Sequence, residues 1–235
     1  MCNFYARYRQ PRNLQAAFKF PELPNDAPRY VVRPTDTERV VSVGKDGGRH
    51  AVPMRWGLVP WWAKDIKTGL TLFNWQAETV LSKSAYGEPF TRGHRCLVPC
   101  DGFFEFTGDK GAKQPWLFKP KDDRVMAFAG LWERWRGPKD AALAEPLLSF
   151  SIATCAPNAT VAPYHNRMPV LFTQDAEWDA WLGPDAEQDD LRRMLLPAPA
   201  DLLDAIPVSR DLLRVKEPGP ELLKATNHGS DVPQI

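Results

Sequence analysis

The 235-residue chain lacks several of the features that would place it quickly. No apolar run approaches the ~20 residues that a bilayer-spanning helix needs, so no membrane association is expected. Arg7, Arg9 and Arg12 are not followed by an apolar stretch, which is not the layout of a secretory signal, and a cytoplasmic location is the expectation. Cysteine is scarce. Cys2, Cys96, Cys100 and Cys155 cannot make a disulfide framework for a chain of this size. Cys96 and Cys100 are spaced C-x3-C, but no second pair at zinc-ligand spacing accompanies them, so burial is expected for these two and for Cys155. Glycine-rich phosphate loops and His-Glu metalloprotease helices are absent too, and neither metal nor cofactor is expected.

A dominant charge is also missing, because the formal net charge is only +1. The balance is uneven, however. Residues 1–70 hold twice as many Lys and Arg as Asp and Glu. A basic N-terminal third suits a polyanionic ligand, although scattered surface cations would give the same count.

What is present in quantity is proline, aromatic residues and short β-type runs. Pro21, Pro24, Pro28 and Pro34 exclude a long helix across residues 20–36. Glu38–Val43 alternates like a strand, residues 44–48 read as a turn, and His50–Trp56 reads as the returning strand. Further strands are expected at 95–98, 102–106, 115–118, 125–132 and 147–154, with an exposed excursion over 136–146. A short helix is expected to start behind Asn13 as N-cap, with Leu14, Ala17 and Phe18 on one face. A second is expected at 175–182, capped by Asp175, with Trp178, Trp181 and Leu182 facing inward. A third is expected over 187–196, and a late strand over 207–210. The fold class is therefore α+β: one compact domain over residues 1–225, dominated by antiparallel strands in barrel-like twisted sheets with peripheral helices, then a polar tail over 226–235.

Several residues could carry chemistry. Loss of Met1 would leave Cys2 with an α-amine and a thiol on adjacent carbons. That pair can condense with an aldehyde and close a five-membered thiazolidine, which no internal cysteine can do. A frayed, inert terminus is the other reading. Glu105 shares a strand face with Phe103, opposite Phe104 and Phe106. If buried there it would be a general acid or base with a raised pKa; at a strand edge it would be an ordinary solvated carboxylate. His165 lies in a loop bracketed by Pro163 and Pro169, where it could shuttle protons near neutrality. His50, His94 and His228 lack such framing. Asn74 reads as a turn former or as a polar site group. Trp61 and Trp62 cannot both face inward on a regular strand, so one is expected to be exposed, where it could stack on a base.

Taken together, Met1-Cys2, Trp56-Gly-Leu-Val-Pro60, Asn74-x-x-Ala-Glu-Thr79, Arg95-Cys-Leu-Val-Pro-x-Asp-Gly-Phe-x-Glu105, Phe128-Ala-Gly-Leu-Trp132 and His165-Asn-Arg-Met-Pro-Val170 resemble, in order and spacing, the SOS response-associated peptidase (SRAP) family. The resemblance runs from residue 2 to about residue 209. It implies a sensor and shield of abasic sites in single-stranded DNA that makes a covalent DNA–protein crosslink through the mature N-terminal cysteine and removes its own Met1. It further implies Cys2 as nucleophile, Asn74 as orienting group, Glu105 as acid/base for imine formation and reversal, and His165 as proton carrier in sugar ring opening. The implied partner is single-stranded DNA with abasic sites, bound by a monomer that joins the nucleoid when on DNA. Contacts to DNA are expected from Trp61, Trp62, Gln76, Arg33, Arg55 and Arg167, with Arg92 a further candidate. The family usually opens Met-Cys-Gly-Arg and carries Asn-Ala-Arg before its Glu-Thr pair. Here Asn3 with Phe4, and Trp75 with Gln76, stand instead, and two cations are lost. Two other functions fit the same residues: a thiol peptidase or amidohydrolase with an N-terminal nucleophile, and a non-covalent single-strand binder.

Overall fold

The computed structural model describes residues 3–109, 112–216 and 218–226. Cys2 and nearly all of the expected polar tail (residues 227–235) lie outside the described residues. Thirteen strands are present among them: β1 Phe4–Arg7, β2 Arg29–Val32, β3 Thr37–Val43, β4 Arg49–Trp56, β5 Asn74–Gln76, β6 Arg95–Cys100, β7 Gly102–Thr107, β8 Gln114–Pro120, β9 Met126–Trp135, β10 Leu147–Cys155, β11 Met168–Pro169, β12 Leu171–Phe172 and β13 Leu203–Pro207. Four α-helices accompany them: α1 Pro11–Phe18, α2 Ser84–Thr91, α3 Asp175–Leu182 and α4 Gln188–Arg193.

The strands form two sheets. One runs β13-β8-β7-β1-β2. The other contains β10-β4-β3-β6-β9, and β9 pairs back onto β10, so these five strands close into a barrel. β5 and β11 extend the barrel wall from β10, and β12 from β9. Closure removes the exposed edges that a five-stranded open sheet would carry. Gly130 of β9 makes the tight wall possible: a Cβ there would come within 2.8 Å of Cys96 Sγ.

The inner face of the first sheet packs on the barrel. The Tyr5 ring meets Trp56 at 5.1 Å and Phe128 at 5.4 Å, both edge-on, and Phe103 stacks on Phe118 at 5.0 Å. The outer face is covered too, by a second cluster of Ala6, Val31, Phe104, Leu117, Val208 and Leu212. Alternation along β7 therefore decides placement, since odd and even residues enter different cores. Glu105 falls on the barrel side with Phe103.

The structure corrects the sequence reading in several places. α1 starts at Pro11, not behind Asn13, because proline at the first helical position has its φ preset and lacks only an N–H that has no partner there. Leu14 and Phe18 are buried as expected. α3 is preceded by Gln174, and Asp175 is its first residue; Glu177 reaches back to accept the Thr173 and Gln174 N–H groups at 2.7 and 2.9 Å. α4 is shorter than expected, and the late strand is β13, which ends at Pro207 instead of starting there. β10 pairs in parallel with both β4 and β5, an arrangement that alternation alone does not reveal. Among the described residues no helix is long and apolar enough to cross a membrane. Cys96, Cys100 and Cys155 are all buried free thiols, and burial pushes the Cys155 pKa up to about 12.

Candidate active site

Glu105 is the anomaly from which the site is built. It is 3 % exposed, and its strand partner across β7–β8 is Trp116. Phe103 and Phe118 continue the same apolar face. Removing water from a carboxylate disfavours its charged form, and burial raises the Glu105 pKa to about 7, opposed by nearby positive charge that includes Lys113. Its Oε1 atom is buried and has no hydrogen-bond partner among the described residues. A carboxyl group in this state exchanges its proton near neutrality.

The strand register also fixes what approaches it. β1 pairs antiparallel with β7, Tyr5 opposite Phe103 and Phe4 opposite Phe104. Along that ladder the chain before Phe4 runs in the direction of Glu105. The N-terminal end of the described chain is thus aimed at the buried carboxyl.

His165 faces Glu105 from the loop between β10 and β11. Its Nε2 atom lies 3.9 Å from Glu105 Oε2, close but longer than a hydrogen bond. Burial is the main cause lowering the His165 pKa; the charges of Arg167 and Lys113 act in the same direction, and the hydrogen bond to the Arg167 backbone opposes them. Burial thus shifts the carboxyl toward its protonated form and the imidazole toward its neutral form. His165 Nδ1 lies 3.0 Å from both the N–H and the carbonyl of Arg167, which orients the ring with Nε2 toward Glu105. The loop is rigid for identifiable reasons. Asn158 accepts the Thr160 and Val161 N–H groups through Oδ1 and donates from Nδ2 to the Ala198 carbonyl, while the His165 N–H bonds the Val161 carbonyl.

Arg167 ties this loop to β5. Its guanidinium grips Glu78 through two 2.9 Å bonds and donates to the Thr154 carbonyl at 2.6 Å. Thr154 in turn donates from Oγ1 to the Trp75 carbonyl at 2.8 Å. Asn74, the first residue of β5, lies opposite Ile152 of β10; it is buried and its carbonyl accepts the Tyr86 hydroxyl at 3.0 Å. Glu105 and His165 are therefore brought into direct proximity, and Asn74 is coupled to the His165 loop through Trp75, Thr154 and Arg167.

The expected DNA contacts are distributed more widely. Trp61 and Trp62 are 53 % and 45 % exposed, so both face solvent, not one. Their loop is held by Gly57 at φ +119° and Gly69, whose backbones approach so closely that a Cβ on either would sit 2.5 Å from the other's carbonyl oxygen. Arg55 stabilises that approach by donating to the Gly57 carbonyl at 3.0 Å and is half-buried. Gln76 is exposed at the end of β5. Arg33 is half-buried in a tight turn, where its N–H bonds Asp36. Arg167 is mostly committed to Glu78 and Thr154.

Sequence reasoning missed three contributors: Trp116, Tyr164 and Thr154. Tyr164 packs on Trp116 at 4.7 Å and on Phe118 at 5.3 Å, joining the His165 loop to the apolar face around Glu105. Pairing the runs at 102–106 and 115–118 as a hairpin would have put Trp116 beside Glu105. Among the described residues no three His, Cys, Asp or Glu side chains converge to hold a metal ion.

The chain matches the family model described as SOS response associated peptidase (SRAP) over residues 1–215. It is 37 % identical over 204 residues to the abasic site processing protein YoaM of Bacillus subtilis, covering 86 % of each chain. It is 33 % identical over 196 residues to the abasic site processing protein HMCES of Gallus gallus, covering 74 % of this chain and 57 % of that one. A solved structure from Bacteroides thetaiotaomicron superposes with a TM-score of 0.84 at 21 % identity, covering 96 % of this chain and 100 % of that one, which establishes a shared fold. On the extent of the family match and the identity to YoaM, the chain belongs to the SRAP family.

Proposed function

We propose that this protein processes abasic sites in single-stranded DNA by crosslinking to them through Cys2. Hydrolysis of the Met1–Cys2 peptide bond consumes one water, releases methionine and frees the Cys2 α-amine. The open-chain sugar aldehyde at an abasic site then condenses with that amine, forming an imine and expelling water. The thiol adds across the C=N bond, its sulfur to carbon and its proton to nitrogen, and the thiazolidine closes. The net change in the crosslink is loss of one water.

The observation that carries this reading is the Glu105–His165 pair at 3.9 Å, placed where β1 begins. Imine formation needs an acid to protonate the departing hydroxyl and a base to take the amine proton. A carboxyl with a pKa of about 7 serves either role at physiological pH. The α-amine has a reference pKa of about 7.7–8.0, so an appreciable fraction is already nucleophilic. His165, whose Nε2 faces Glu105, is assigned to proton transfer at the sugar oxygen during ring opening. Asn74, fixed on β5, orients the aldehyde. The names of the curated relatives point to the same lesion. Exposed Trp61 and Trp62 suit a strand with splayed bases. One chain supplies every group named, so the protein is taken to act as a monomer, and its sedimentation without DNA checks this.

Incubating the mature protein with a single-stranded oligonucleotide containing one abasic site should give an adduct that survives denaturation. Cys2→Ala should abolish it. An undiminished yield with Cys2→Ala would falsify the assignment.

A further inference from the structure

A cleft of about 520 Å³ opens beside Trp61, on the outside of the barrel at the ends of β6 and β9. Lys45, Arg92, Arg134 and Arg136 line it. All four are exposed, and Lys45, Arg134 and Arg136 make no ion pair among the described residues. The one acidic lining residue, Glu133, is 3 % exposed and already accepts the Arg134 N–H at 2.8 Å. The free charge facing solvent is thus positive.

Two aromatic surfaces stand within the same cleft. His94 stacks on Trp132 at 4.4 Å with an interplanar angle of 19°. Trp61, although half-exposed, is anchored: its Nε1–H donates to Glu88 Oε2 at 2.7 Å, and Glu88 is held by Arg92 at 2.5 Å. A solvent-facing indole pinned by a hydrogen bond is a preorganised stacking platform, because its rotamer entropy is already lost.

The strand register connects this cleft to the site. Trp132 lies opposite Phe150 of β10, two residues from Ile152, whose partner on the other side is Asn74. The loop carrying Trp61 is bonded to β10 at Ser149, whose Oγ accepts the Val59 N–H at 2.8 Å. Ile152 is three residue steps along the strand from Ser149, a distance of roughly 10 Å.

We infer that the cleft between Trp61 and Trp132 is a second docking site for single-stranded nucleic acid, taking the phosphates and a stacked base of the strand flanking the reacting nucleotide. This inference rests on the proposed abasic-site function and deepens it. Cations following the backbone and aromatics receiving bases are the two requirements of sequence-tolerant single-strand binding, and the cleft supplies both. It also replaces the positive charge that Asn3 and Gln76 do not supply.

The test is equilibrium binding of intact, lesion-free single-stranded oligonucleotides to the full chain, using one of about 6 and one of about 20 nucleotides. Arg134→Gln with Arg136→Gln should weaken binding of the longer strand ~10-fold and lower its salt slope by about 1.4, from two lost phosphate contacts. Trp61→Ala should weaken it ~5-fold or more. In the Arg134→Gln, Arg136→Gln variant, binding of the short strand at the catalytic site, and crosslink yield at saturating DNA, should not change. A charge-matched control on α4, Arg192→Gln with Arg193→Gln, should leave both strands unaffected. Unchanged affinity for the longer strand, or equal weakening by the α4 control, overturns the cleft assignment. Absence of any crosslink with the unsubstituted protein overturns the abasic-site function instead, so the two failures are distinguishable.

Discussion

At the scale of single residues, Glu105 sets both chemistry and stability. Its pKa rises from 4.5 to about 7 on folding because its carboxylate is removed from water. The folded state therefore binds more protons than the unfolded state between those values, and stability falls as pH rises through that window. Converted at 1.36 kcal/mol per unit, the charged form costs about 3 kcal/mol. Glu105→Gln keeps the shape without the charge. It should be the more stable protein at pH 8 and nearly equal to the unsubstituted protein at pH 4.5, as urea unfolding at the two pH values would show. The same substitution should slow crosslinking ~100-fold or more and remove the limb of the pH–rate profile near 7. A Gln variant whose stability advantage did not grow with pH would contradict the buried-carboxyl account. This much of the site was legible in the sequence, because alternation along 102–106 places Glu105 with Phe103 whatever else the strand does. The partner of Arg167 was not. Glu78 is far away in sequence, and only the parallel β5–β10 pairing brings the two together.

At the scale of elements, two short segments are informative. The turn Arg33-Pro34-Thr35-Asp36 closes with the Asp36 N–H on the Arg33 carbonyl at 3.0 Å, and Thr35 sits at φ +83°. That conformation strains a β-branched residue at the turn position where glycine is usual. Thr35→Gly should therefore raise stability by about 1 kcal/mol, read as a higher unfolding midpoint; a lower midpoint would contradict the turn geometry. The Asp101 carboxylate, buried between β6 and β7, accepts the Tyr8 and Arg9 N–H groups at 2.6 and 2.8 Å and Arg9 Nε at 3.1 Å. It anchors the exit of β1, so Asp101→Ala should cost about 2–4 kcal/mol by leaving those donors unpaired. Hydrogen exchange should quicken along β1 in that variant, and unaltered protection there would refute the anchoring role. The β3–β4 hairpin was readable because a polar turn joins two alternating runs. α2 was not, since Pro89 within it argues against a helix. β5 is only three residues long and has no pattern of its own.

At the scale of the whole molecule, closure of the barrel makes one frame that joins three distant stretches of chain. β1 arrives from the first sheet, the His165 loop from the end of β10, and Asn74 from a strand laid in parallel along β10. The sequence resemblance supplied the order of these motifs, and the folded chain supplies the coupling among them. Charge is arranged at this scale as well, with Lys45, Arg92, Arg134 and Arg136 collected at one cleft from the β3–β4 turn, the end of α2 and the end of β9. The central claim remains that Cys2 itself carries the lesion. The most direct measurement is the intact mass of the adduct formed with a single-stranded abasic oligonucleotide. The account predicts the mass of the chain without Met1 plus that of the oligonucleotide, less one water. An adduct that retains Met1, or the same adduct formed by Cys2→Ala, would contradict it.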